Sequence, residues 1–173
     1  EKNKEYSVTR VKQRFERSPD NPSYRKAWAI SLMSEGQLEE AARHFHYLIE
    51  NGCADHEVYG RLSELQHRLG QAEAAEASLL KALEKKPDYA EALHGMAYLL
   101  HKKNKNKESL NYIVSACKLQ PKNVVYISFK AIVLVAMHRY SEALDCYRQG
   151  LAISPDDPAL LNNYGNALND LGL

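Results

Sequence analysis

The sequence predicts an all-α fold of antiparallel helix pairs, and three observations carry that prediction. Pro19, Pro87, Pro121 and Pro155 stand on one 34-residue grid, with Cys53 at the remaining grid position. A fixed period of this size marks stacked supersecondary units. Between grid points the apolar residues recur at spacings of three and four, as in Leu79, Leu80 and Leu83 or Leu144, Tyr147 and Leu151. That spacing builds one apolar helix face. Finally, small and bulky residues return at constant offsets inside the period.

The elements follow in order. Residues 1–21 read as the second helix of a preceding or capping repeat, with Val8, Val11 and Phe15 on its apolar face. Four complete repeats span 22–55, 56–89, 90–123 and 124–157, and 158–173 is the first helix of a truncated fifth. Helices are expected near 5–17, 22–34, 37–50, 56–69, 72–85, 90–103, 106–119, 124–137, 140–153 and 158–171. The eighth residue of each repeat is small (Ala29, Ser63, Ala97, Ala131, Gly165), as a close helix crossing requires. The twentieth is small again (Ala41, Ala75, Ser109, Ala143), and the twenty-fourth is bulky (Phe45, Leu79, Ile113, Tyr147). Gly36 and Gly70 fall at mid-repeat turns, where a positive φ costs glycine little. The Pro-Asp pairs at 87–88 and 155–156 end one helix, and their aspartates are expected to start the next.

In the last segment, Leu161, Tyr164, Leu168 and Leu171 form an apolar stripe without a partner helix. Terminal repeats need a polar cap. The chain is therefore expected to be part of a longer one, or to self-associate through this C-terminal helix.

Bulk composition excludes several classes. Lys+Arg 23 nearly cancels Asp+Glu 22, so no global field directs the chain to nucleic acid. A hydrophobic content of 45% suffices for a packed core. No apolar run approaches the ~18 residues of a membrane span, and Glu1–Lys4 lacks the apolar region of a signal peptide. Three unpaired cysteines favour a reducing, cytoplasmic setting over a disulfide scaffold.

The period and its registers resemble the tetratricopeptide repeat family over almost the whole chain. Departures are local. A large aromatic at the fourth residue occurs only as Tyr59, and Lys130 occupies a usually apolar seventh position. The resemblance implies a right-handed α-solenoid and a bacterial-type scaffold or adaptor that binds a protein or peptide in its concave groove. Carried over by repeat position, that groove is lined by Lys26, then Arg61, Glu64, His67 and Arg68, then His94, Tyr98 and His101. Val125, Phe129 and Ile132 follow as an apolar zone, and Asn162, Asn163 and Asn166 as an amide zone. A partner helix or extended peptide with an apolar anchor and acidic residues would suit the mosaic. Phe129 and Ile132 are open to a second reading, packing into the neighbouring repeat.

The run Asn162-Asn163-Tyr164-Gly165-Asn166-Ala167-Leu168 resembles repeats of the O-linked N-acetylglucosamine transferase scaffold, where asparagines hold peptide backbone. This supports an alternative role as the substrate-recruiting arm of a larger enzyme such as a glycosyltransferase. The carboxylate clamp of chaperone-binding repeats is absent, because Lys26 is followed one turn later by Ile30 and the next repeat offers Arg61. His94 and His101 share a helix face, but His67 lies one repeat away, about 8–10 Å, too far to share a zinc. Neither a metal nor any other cofactor is expected. No phosphate-binding loop, dinucleotide fingerprint or catalytic motif is present, so a non-catalytic chain is expected. Lys102, Lys103, Lys105 and Lys107 crowd one mid-repeat turn and read as a solvated loop without the aromatics of a nucleic-acid surface.

Overall fold

The computed structural model describes the backbone of residues 2–172 and the side chains of residues 8–172. Glu1 and Leu173, the outer limits of the first and last segments assigned above, lie outside the described residues. Among those residues there are ten helices and no strand: α1 (Lys2–Arg17), α2 (Pro22–Ser34), α3 (Leu38–Glu50), α4 (His56–Arg68), α5 (Ala72–Lys85), α6 (Ala90–Lys102), α7 (Asn106–Leu119), α8 (Val124–Ala136), α9 (Tyr140–Ile153) and α10 (Pro158–Asp170). They divide into two compact units, Glu1–Pro87 with α1–α5 and Asp88–Leu173 with α6–α10. Within each unit, helices adjacent in sequence pack on one another, the all-α helix-pair architecture expected from the period.

Helix starts repeat with the period. The side chains of Asn21, Asp55, Asn123 and Asp157, all on one 34-residue grid, accept hydrogen bonds from the first-turn amides of α2, α4, α8 and α10. Each cap contributes about 1 kcal/mol by satisfying amides that have no helical acceptor. The α6 start is the exception, for Tyr89 makes no side-chain cap there. This corrects the expectation for the Pro-Asp pairs: Asp88 and Asp156 lie in the turn, one residue before the caps.

Mid-repeat turns are equally regular. Gln37, Gln71, Lys105 and Arg139 donate their backbone N–H to Leu32, Gln66, Leu100 and Leu134 at 2.8–2.9 Å. The residue before each donor has positive φ: Gly36 at 81°, Gly70 at 75°, and Asn104 and His138 both at 57°. The left-handed conformation is therefore a property of the position, which the chain fills with glycine at 36, 70 and 172 and with side-chain-bearing residues at 104 and 138.

Packing follows the small and bulky registers. Ala29, Ala41, Ala97, Ala131 and Ala143 are wholly buried, as are Phe45 and Ile113. Ser109 is buried with its hydroxyl donating to the Ala97 carbonyl at 2.7 Å, so the α6–α7 crossing keeps its polar atom satisfied. Gly165 departs from the register: it is exposed, and a Cβ there would meet nothing within 4 Å. The close approach falls instead at Gly150, where a Cβ would stand 3.0 Å from Leu160 Cδ1. The α10 stripe is also split. Tyr164 and Leu168 pack against the second unit's core, whereas Leu161 and Leu171 remain exposed.

Candidate functional site

In the first unit the expected groove cations each meet an acceptor of the protein itself. Lys26 Nζ on α2 donates to Asp55 Oδ2 at 2.8 Å and to Glu57 Oε2 at 2.7 Å. Burial opposes the charge on Lys26, but its bonds to these two carboxylates outweigh that and raise its pKa. Asp55 shows the mirror image: burial would raise its pKa, yet Lys26 and the Val58 amide hold it below the ordinary carboxylate value. Arg61 Nη1 reaches Glu64 at 3.2 Å. Arg68 Nη1 donates to the Met33 carbonyl at 2.9 Å, closing the end of α2 from α4. Glu64 and His67 are exposed. Lys26 and Arg68 thus link α2 to α4, whereas the Arg61–Glu64 pair lies within α4 and leaves the buried Arg61 Nε without a hydrogen-bond partner among the described residues.

The second unit assembles a different surface. His94, Tyr98 and His101 share one face of α6 because positions four and three apart coincide on a helix. Against them α8 sets Phe129, whose ring centroid lies 5.2 Å from His94, 6.0 Å from Tyr98 and 5.7 Å from His101. Tyr126, also from α8, lies 5.0 Å from His94. Both imidazoles meet Phe129 edge to face, the arrangement that points a ring's positive edge at a π-face. His101 Nδ1 lies 2.8 Å from Asn106 Oδ1, and since that oxygen accepts, the bond orients the imidazole by donation from Nδ1. Lys102 Nζ stands 5.6 Å from the Tyr98 ring. Burial lowers the pKa of His94 and pushes Tyr126 up to about 12, keeping both neutral.

Phe129 is only 8% exposed, so it supports this cluster from beneath and answers to the packing reading of that residue. Val125, one helical turn earlier, is the exposed apolar residue at 61%, and Ile132 is half-buried. Asn162 and Asn166 are exposed on α10 and Asn163 is half-buried. Sequence reasoning missed Tyr126, whose signal was its position three residues before Phe129, and Asn106, which orients His101.

With that geometry in place, the chain can be compared with known proteins. Tetratricopeptide repeat models match residues 26–90 and 90–123, and a TPR repeat model matches residues 133–172. These segments together cover most of the sequence, and the chain belongs to the tetratricopeptide repeat family. It is 30% identical over 121 residues to DnaJ homolog subfamily C member 3 of Gallus gallus, covering 68% of this chain and 24% of that protein. It is 23% identical over 168 residues to the TPR repeat-containing protein YpiA of Bacillus subtilis (strain 168), covering 95% of this chain and 40% of that one. The chain thus spans about a quarter and two-fifths of the length of these relatives, which come from a bird and a bacterium. Among solved structures, YrrB, a TPR protein with an unusual peptide-binding site, is similar in fold with a TM-score of 0.71 at 15% identity, over 94% of this chain and 84% of that one.

Tetratricopeptide repeats indicate a protein–protein interaction scaffold, and proteins of the family bind protein or peptide partners. Among the described residues, no helix is long and apolar enough to cross a membrane, and no cluster of three or more His, Cys, Asp or Glu is placed to hold a metal ion.

Proposed function

We propose that the chain is a non-catalytic scaffold or adaptor that takes a peptide or helix of a partner protein on the α6/α8 face of its second unit. The observation that carries this reading is the ring cluster of His94, Tyr98, His101 and Phe129 beside the exposed Val125. Large, rigid rings give contact area at low entropic cost, and a protruding apolar side chain supplies an anchor point. Tyr98, His101, Val125 and Ile132 make the contact, and Phe129 holds the rings. The amides of Asn162, Asn163 and Asn166 extend it toward an extended peptide backbone. Lys26, Arg61, Glu64, His67 and Arg68 belong to a groove-lining set by repeat position, but Lys26 and Arg68 are engaged in linking α2 to α4.

Selection of a peptide library on the full chain tests this. Selected peptides should lose at least about tenfold in affinity to Val125→Asp and Tyr98→Ala, since each removes a contact at the centre of the face. Arg68→Ala should leave affinity within about twofold. The opposite ranking would place the contact on the first unit. The second reading, a substrate-recruiting arm of a larger enzyme, rests on the exposed Asn162 and Asn166. It requires that Asn162→Ala with Asn166→Ala abolish peptide capture while Val125→Asp spares it.

A further inference from the structure

The turn joining α6 to α7 is more basic than its conformation requires. Lys102, Lys103, Lys105 and Lys107 occur within six residues, in a chain whose formal net charge is only +1. All four are exposed. Lys105 reaches Glu108 only at 3.9 Å, where an exposed ion pair is weak. The corresponding turns of the first unit, around Gly36 and Gly70, close with the same backbone hydrogen bond and carry no lysine. Closing a turn of this kind therefore does not require lysine at these positions, and four like charges so close together repel one another.

The turn is also closed by its own backbone. Lys105 N–H donates to Leu100 O at 2.9 Å and Asn104 N–H to His101 O at 2.9 Å, so the charges are set on a closed frame. An open cleft of about 450 Å³ adjoins them, lined by Asn104, Lys105, Asn106, Lys107, Glu108 and Met137, the last from the α8–α9 turn. In that neighbouring turn, Arg139 is already bonded through two nitrogens to Glu142 at 2.7 Å each. The cationic character of this edge thus comes from the α6–α7 turn. Its cleft combines ammonium groups, amides, one apolar thioether and the carboxylate of Glu108, which the lysines outnumber.

We infer that this edge is a docking surface for an acidic segment of a protein partner, one carrying several Asp or Glu residues in succession. Ammonium groups spaced along a fixed turn match successive carboxylates, and the amides of Asn104 and Asn106 offer donors to the same oxygens. Nucleic acid fits less well, because the ring beside these lysines, Tyr98 near Lys102, packs toward Phe129, and stacking successive bases takes a series of exposed rings. The choice of a protein polyanion rests on the scaffold reading above, but the edge itself does not involve Val125 or Phe129, so the two can fail separately.

The test uses the full chain and a fluorescein-labelled peptide of six glutamates between Gly-Ser flanks, followed by fluorescence anisotropy. Lys102→Ser, Lys105→Ser and Lys107→Ser together should weaken binding by at least about tenfold, whereas Lys118→Ser with Lys122→Ser should change it by less than about twofold. Raising salt from about 0.05 to about 0.3 M should weaken the wild type and barely affect the triple variant. Val125→Asp should leave this binding unchanged. Circular dichroism confirms that the variants remain helical, and Lys107→Glu alone, on an exposed residue, gives a second measure of the same effect. No binding by the wild type, equal binding by the triple variant, or loss with Lys118 and Lys122 instead would each overturn the proposal. So would tighter binding of single-stranded RNA or of anionic vesicles through the same three lysines, which would mark a general polyanion patch.

Discussion

The two units share a helix-pair plan and use their polar residues in opposite ways. In the first, Lys26 and Arg68 join α2 to α4 through Asp55, Glu57 and the Met33 carbonyl. In the second, the α6–α8 contact is made by rings around Phe129, and the lysines stand outside it at the turn. The turns that join paired helices differ likewise: glycine holds the left-handed position between α2 and α3 and between α4 and α5, asparagine between α6 and α7, and histidine between α8 and α9. A repeat fold thus tolerates either polar or aromatic joinery between successive first helices, and the choice decides what remains for a partner. Charges committed to neighbouring helices stiffen the unit. Rings packed edge to face around Phe129 leave an adjoining apolar side chain, Val125, exposed.

The largest expected effect comes from removing the ring at the centre of that contrast. Phe129→Ala should destabilise the second unit by about 3–5 kcal/mol, because a nearly buried aromatic leaves a cavity. Lys26→Met in the first unit should cost no more than about 1 kcal/mol, as expected for a partly exposed pair. Urea unfolding with a probe in each unit measures both, and similar losses would erase the distinction drawn between the two joints. Next in size, Ala75→Leu and Ala143→Leu should each cost about 1–3 kcal/mol, since neither close crossing has room for the added carbons. Unchanged melting of either variant would show that its crossing is looser than the burial of these alanines indicates.

The pH response sharpens the comparison further. Burial lowers the pKa of His94, and burial with the nearby Arg25 lowers that of His44, from an ordinary 6.5. The unfolded chain therefore binds these protons first as pH falls. The stability linked to each neutral imidazole is complete above pH 6.5 and declines as pH drops from there through the folded value. His94→Phe should flatten the loss in the second unit between about pH 7 and pH 5, and His44→Gln that in the first. A loss that persists unchanged in His94→Phe would remove His94 from the account.

The smallest effect concerns the turns. His138→Gly should stabilise by about 0.5–1 kcal/mol by relieving a left-handed histidine, and Asn104→Gly by less, since asparagine tolerates that region. Gly70→Ala should destabilise by about 1 kcal/mol for the converse reason. Thermal melts of the three variants, with opposite signs expected, check the shared geometry.

Much of this architecture was legible in the residues alone, because a 34-residue repeat writes each structural demand several times. Ala41, Ala75, Ser109 and Ala143 are buried at their helix crossings, as their common offset implied. The capping grid of Asn21, Asp55, Asn123 and Asp157 was equally available in the sequence; the more conspicuous Pro-Asp pairs pointed one residue too early. Side-chain partners were another matter. Lys26 meets Asp55 and Glu57 about thirty positions away, and whether Phe129 is an anchor or a support depends on where three rings of α6 come to rest. Periodicity determines which face of a helix a residue occupies, since that follows from local geometry repeated along the chain. Which atoms then satisfy one another on that face depends on distances between helices, and only the tertiary structure decided them.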